Sequence, residues 1–205
     1  MAAVTERRRR SDGERSRRAI LDAAARLATT EGLEGVSLGH LAEHVGMSKS
    51  GLFAHFGSKE ELQLATIGAA GEIFRAEVVE PGLAGATPLA RIEGLCEAFL
   101  SHVERGVFPG GCFFASTSAE LDTRPGPVRD RLAEVQQGWE ELMTGLVRDA
   151  QEAGEVRGDV DPLQLAFELN ALLSYANAMY VLQRAPAAMT SARAAIAARV
   201  AAVRA

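Results

Sequence analysis

Apolar residues recur along almost the whole chain at spacings of three and four, and no stretch alternates with the two-residue period of a half-buried strand. The pattern predicts an all-α fold of about nine helices, over about 14–30, 38–45, 49–56, 59–79, 88–105, 112–120, 128–153, 162–184 and 189–203. Punctuation separates them. Ser37, Ser48 and Ser58 stand where a hydroxyl can cap a first turn, and Glu61 completes a capping box with Ser58. Gly46 and Gly57 can take the left-handed conformation that ends a helix. Pro81-Gly82 and Pro109-Gly110-Gly111 break the chain, and Asp161-Pro162 is a cap followed by a proline at the first helical position.

The stretch from Ser37 to Leu62 is the most informative. Leu38, Leu41, Ala42 and Val45 fall on one face of a short helix, and Met47 plugs the corner after it. Leu52 and Phe56 of the next helix point back into the same small core, which leaves Lys49, Ser50, Gly51 and His55 outward. That is the layout of a helix-turn-helix, whose second helix presents its N-terminal residues to base edges in the major groove. Ser50 can donate or accept at several bases, and Gly51 lets backbone approach the groove. Lys49, His55 and Lys59 can reach phosphates, which fix register without carrying sequence information. A plain αα-corner has the same periodicity, so these residues alone leave both readings open.

The run from residue 19 to 62 resembles the TetR family of one-component bacterial repressors. The matching segments are Ile20-Leu21-Asp22-Ala23-Ala24, Gly32, Ser37, Leu41-Ala42, Gly46-Met47-Ser48-Lys49, Leu52-Phe53-Ala54-His55-Phe56 and Ser58-Lys59-Glu60-Glu61-Leu62. The resemblance implies phosphate contacts from Ser37 and Lys59. Phe53 departs from the pattern: many members have a tyrosine there whose hydroxyl bonds a phosphate. Phe53 is therefore expected to pack or to make an apolar contact, for instance with a thymine methyl. The resemblance further implies a helix-turn-helix domain over 14–60 and a helical effector-binding and dimerisation domain over 61–205. An effector there moves the rod helix 59–79, which leaves the head without a linker, and changes the spacing of two reading heads.

Charge agrees with this division. The net charge is −5, yet residues 1–60 carry ten Lys/Arg against eight Asp/Glu, and residues 61–205 carry twelve against nineteen. The front is therefore the basic end, as a DNA-binding surface requires. Residues 1–13 are expected to form a disordered basic arm in which Arg7 to Arg10 add phosphate or minor-groove contacts. Arg17 and Arg18 join Ser37, Lys49, Ser50, Gly51, Phe53, His55 and Lys59 as candidate contacts to a double-stranded operator.

The second half suggests a dimer and a pocket. Helix 162–184 is apolar around too much of its girth for one buried face, with Leu165, Ala166, Leu169, Leu172, Leu173 and Ala176 spread over two sides. The last helix carries Ala192, Ile196, Val200 and Val203 in one stripe, flanked by alanines that allow close approach. These two helices are expected to form a homodimer interface. Helix 128–153 reads as a seam packed along its whole length through Val128, Leu132, Val135, Trp139, Leu142 and Leu146. Candidate ligand residues are Phe74, Phe99, Phe113, Phe114 and Trp139, with Met143, Phe167, Asn170, Tyr175 and Met179. Asn170 and Tyr175 stand out, because a polar group on an apolar helix needs a partner.

Other functions find little support. The chain has no Gly-rich phosphate loop, nucleophile elbow or metal-binding histidine pair, so neither enzyme, metal nor cofactor is expected. Cys96 and Cys112 do not make a disulfide framework, and Cys112 reads as a buried thiol before a redox sensor. The most apolar stretch, 163–182, is interrupted by Gln164, Glu168, Asn170 and Asn177, so no membrane span is expected and the cytoplasm is the default location. The alternative to a ligand-responsive regulator is a helical small-molecule-binding or scaffold protein without DNA binding, which Phe53 alone favours.

Overall fold

A computed structural model describes residues 2–205, with side chains from residue 13 onward. Among the described residues there are nine helices and no strand. The first three are α1 (Ala2–Glu31), α2 (Leu38–His44) and α3 (Lys49–Phe56). The α1 helix begins ahead of residue 14, where the apolar pattern starts, and the side chains of the expected arm up to residue 12 lie outside the described residues. The serine caps form: Ser37, Ser48 and Ser58 accept the N–H of His40, Gly51 and Glu61 at 3.2, 3.1 and 3.0 Å. The capping box is only half built, because the Ser58 N–H donates to the Phe56 carbonyl at 2.6 Å. Gly46 and Gly57 both adopt φ +66°, which stops α2 and α3 where side-chain residues would be strained.

The small N-terminal core is filled by Ile20, Ala24, Leu27 and Ala28 of α1, with Leu41, Ala42, Leu52 and Phe56 of the next two helices. Each fully buried Leu or Ile here stabilises the head by about 1.5–3 kcal/mol relative to exposure. Leu38, Val45 and Met47 pack at its margin.

The rod α4 (Lys59–Phe74) follows after two residues. It does not run as regular α-helix to residue 79. A π-helical turn at Arg75–Val79 widens it, with the Glu80 N–H reaching back to the Arg75 carbonyl, before a last turn at Glu80–Gly82. Pro81 supplies a reason: it has no N–H for the Glu77 carbonyl and its ring crowds that turn.

The remaining helices are α5 (Pro88–Glu104), α6 (Phe113–Leu121), α7 (Pro127–Glu152), α8 (Pro162–Gln183) and α9 (Ala187–Val203). Ile92, Leu95, Leu100, Met143, Val147 and Leu165 are among the fully buried side chains of this body. The expected seam on α7 is interrupted. Leu132 and Leu146 are buried, but Val128, Val135, Trp139 and Leu142 are only partly so, and Val135 and Trp139 face a cavity behind the middle of the helix. The stripe Ala192, Ile196, Val200 and Val203 on α9 is spent within the protomer rather than left for a partner. Arg193 pins the same helix to α5 through Glu97 at 2.8 Å and Glu104 at 2.6 Å. No helix among the described residues is long and apolar enough to cross a membrane.

Candidate nucleic-acid interface and ligand cavity

Burial of Leu52 and Phe56 fixes which side of α3 faces out. Lys49 and Ser50 are exposed, Phe53 keeps 55% of its surface, and Gly51 and His55 are half-buried. Phe53 is thus free of the core and available as an apolar contact. A Cβ on Gly51 would lie 3.1 Å from the Ser48 hydroxyl, so glycine keeps the cap clear as well as leaving backbone open.

Other candidate contacts are engaged. The Lys59 ammonium donates to the Glu34 carbonyl at 2.7 Å and to its carboxylate at 3.2 Å, bracing the α1–α2 loop against α4. Hydrogen bonds from Gln63 and Lys59 hold the Glu34 carboxyl below its ordinary range, aided by the charges of Lys59 and Arg124. The Arg17 guanidinium lies 4.7 Å from the centre of the Phe56 ring and has one nitrogen buried without a hydrogen-bond partner, so it packs behind α3. Arg18 is exposed, 3.5 Å from Glu72. Ser37 uses its oxygen as the α2 cap.

A clamp that sequence reasoning missed joins the head to the body. The Glu120 carboxylate, on the last turn of α6, accepts the N–H of Leu33 at 2.7 Å and of Glu34 at 2.9 Å. Arg26 donates to the Val107 carbonyl at 2.9 Å, and the Gly110 N–H donates to the Thr29 hydroxyl at 3.1 Å. A Cβ on Gly110 would lie 1.8 Å from the Thr29 carbonyl oxygen, so α1 and the 105–112 loop meet this closely only with glycine. Gly110 is visible in the sequence as part of a chain break, but nothing there says what it touches.

The cavity sits between α4, α5, α6, α7 and α8, with a volume of about 250 Å³. Phe99, Cys112, Phe114 and Leu173 form its buried floor, and Phe74, Val135, Trp139 and Asn170 its half-buried walls. Gln136, Glu140, Phe167 and Ser174 are exposed at its rim. Phe74 is the hub, meeting Trp139, Phe114 and Phe99 edge-on at 5.4, 5.7 and 6.3 Å between ring centres. The Trp139 indole N–H donates to the Asn170 side-chain oxygen at 2.7 Å, which supplies the partner that Asn170 needed.

Six of the ten candidate ligand residues therefore come together: Phe74, Phe99, Phe114, Trp139, Phe167 and Asn170. Phe113 and Met143 are buried in the core instead. Tyr175 and Met179 line a separate groove between α8 and α9, and Tyr175 is 69% exposed. The sequence reading missed Gln136, Glu140 and Ser174; the first two flank Trp139 on α7, which is the one signal that points to them. Burial pushes the Cys112 thiol up to about 11, against redox reactivity. Behind Phe74, at 6.0 Å, lies His102, fully buried with neither ring nitrogen hydrogen-bonded and pushed down to about 4 by desolvation.

Comparison with known proteins places this architecture. Residues 20–66 match the profile of bacterial regulatory proteins of the tetR family, and residues 88–196, more than half of the chain, match the tetracyclin repressor-like C-terminal domain. The transcriptional regulator AcuR of Cereibacter sphaeroides is 26% identical over 156 residues, covering 76% of this chain and 71% of that protein. A TetR transcriptional regulator from Chloroflexus aurantiacus superposes with a TM-score of 0.88 at 28% identity, covering 95% of this chain and 98% of that one. AibR, solved in complex with isovaleryl coenzyme A and operator DNA, gives a TM-score of 0.66 at 25% identity over 83% of this chain and 88% of its own. The chain belongs to the TetR family, DNA-binding transcriptional regulators in which a helix-turn-helix head is joined to a ligand-binding C-terminal domain.

Proposed function

We propose that the chain is a homodimeric cytoplasmic repressor, released from a palindromic operator when a small molecule occupies the aromatic cavity. The continuity of α4 carries this reading. Lys59 stands in its first turn beside the reading head, and Phe74, its last α-helical residue, is the hub of the cavity wall. Sixteen residues of helix make a stiff rod of about 24 Å, so a displacement at the Phe74 end is delivered to the head. The Glu120 clamp gives a second route, since α6 also carries Phe114 of the cavity floor. To release DNA, the ligand must favour a head spacing unsuited to the operator. AibR, with ligand and operator in one complex, supports pairing the two sites on this fold.

A second copy is assigned to the outer side of α8 and α9. Tyr175 and Leu182 are 69% and 74% exposed there, beside the exposed alanines of α9. An apolar face of this kind marks an interface, and paired heads match half-sites about 34 Å apart. Ser50 and Phe53 are assigned to the base edges of the groove, and Lys49, Arg18 and the N-terminal arginines to phosphate.

A gel-shift titration with DNA flanking the protein's own gene tests the reading. A retarded complex with two protomers per palindrome, resisting bulk competitor DNA, is the expected result. Failure to retard any flanking fragment would leave a helical ligand-binding protein without DNA recognition.

A further inference from the structure

Resting on the reading of the aromatic cavity as the effector site, we infer that the effector is a compact aromatic cation, selected by Trp139 and the carboxylate of Glu140.

The charge inventory of the cavity is one-sided. No Lys, Arg or His is among the residues that line it, and Glu140 is the one ionisable carboxylate there. Glu140 has no salt-bridge or hydrogen-bond partner among the described residues, whereas Glu134 and Glu141 on the same helix are engaged by Arg131 and Gln137. Its neighbour in sequence, Trp139, has its ring orientation set by the 2.7 Å bond to Asn170. An indole face is the strongest side-chain partner for a cation, and desolvation strengthens that attraction. An anion would meet ring faces of negative potential and a carboxylate, with no cation to compensate its desolvation.

The remaining polar groups do not alter the balance. Gln136 already donates to the Ser118 hydroxyl at 3.1 Å, and the Asn170 oxygen is taken by Trp139. Ser174 at the rim and the Asn170 amide nitrogen are left as neutral handles. His102 adds no positive charge near neutral pH and does not line the cavity. Size sets the rest: about 250 Å³ is below the roughly 300–1,000 Å³ of drug-sized sites, which suits one or two rings. Walls of Phe74, Phe114 and Trp139 standing edge to face suit a flat ligand that extends the same packing.

Trp139 is the chain's single tryptophan, so its fluorescence reports occupancy directly. Three probes of nearly equal shape separate charge from size: phenyltrimethylammonium, tert-butylbenzene and benzenesulfonate. With the full-length protein, the cation should quench Trp139 with an affinity at least about tenfold above that of benzenesulfonate. Glu140→Gln, an exposed change, should remove most of the cation's advantage and leave tert-butylbenzene unaffected. Equal affinity for cation and anion, cation binding indifferent to Glu140→Gln, or no quenching by any probe would each overturn the inference. Release of operator by an anionic compound would also overturn it while the regulator reading stands. Absence of operator binding would remove that reading whatever the quenching shows.

Discussion

Glu120 holds Leu33: a carboxylate on the last turn of α6 accepts the backbone N–H of a loop residue in the reading head at 2.7 Å. With the neighbouring bond to Glu34, two loop amides depend on one side chain from the body. Removing it leaves both without that acceptor, at a cost of about 1–3 kcal/mol. Glu120→Ala should therefore lower the thermal midpoint and weaken operator binding while Trp139 quenching by a cavity probe is retained. Unchanged operator affinity would show that the clamp has no part in placing the head.

The outer residues of α3 divide by role. Lys49→Ala should weaken binding to all duplexes alike and reduce the slope of log affinity against log salt by about 1. Ser50→Ala should change preference among operator variants and leave the slope alone. Phe53→Tyr restores the hydroxyl seen in many family members and should raise affinity without regard to sequence. Competition binding across salt concentrations separates these outcomes; identical profiles for the Lys49 and Ser50 variants would contradict the assignment.

His102 makes the body sensitive to acid. Its imidazole is pushed from the usual 6.5 down to about 4, chiefly by desolvation, with Glu77 opposing and Arg105 reinforcing the shift. The unfolded chain therefore binds a proton that the folded one refuses. Stability should be fully present above about pH 6.5 and be lost progressively as pH falls towards 4, by roughly 2–4 kcal/mol. His102→Phe, flanked already by Phe74 and Phe108, should flatten this component in denaturant titrations at several pH values. A variant with the parent's pH dependence would contradict it.

The dimer assignment rests on α8. Tyr175→Glu places a charge on an exposed apolar face and outside the cavity. Sedimentation should show the parent as a dimer at micromolar concentration and the variant shifted towards monomer, with operator affinity lost in parallel. A monomeric parent would refute the arrangement.

Much of the fold was legible because helix boundaries are local chemistry. Ser48, Gly57 and Asp161-Pro162 act on their nearest amides, and α3 and α8 begin and end within a residue or two of their signals. The reading head was legible for the same reason, since Leu52 and Phe56 lie one turn apart. What could not be read depends on distant partners. Lys59 looks like a free helix-start cation until Glu34, 25 residues away, is seen to hold it. The stripe on α9 is apolar whether it faces α8 or a second subunit. The cavity depends on where five helices leave space, so periodicity could nominate Trp139 and Asn170 but could not distinguish them from Phe113 and Met143.

The central claim is that α3 reads DNA as one half of a pair. Nuclease footprinting on the DNA flanking the gene tests it most directly. The account predicts one protected palindrome with half-sites centred about 34 Å apart, retained against excess unrelated duplex, needing more protein with Lys49→Ala and less selective with Ser50→Ala. Uniform or absent protection at every protein concentration would contradict it.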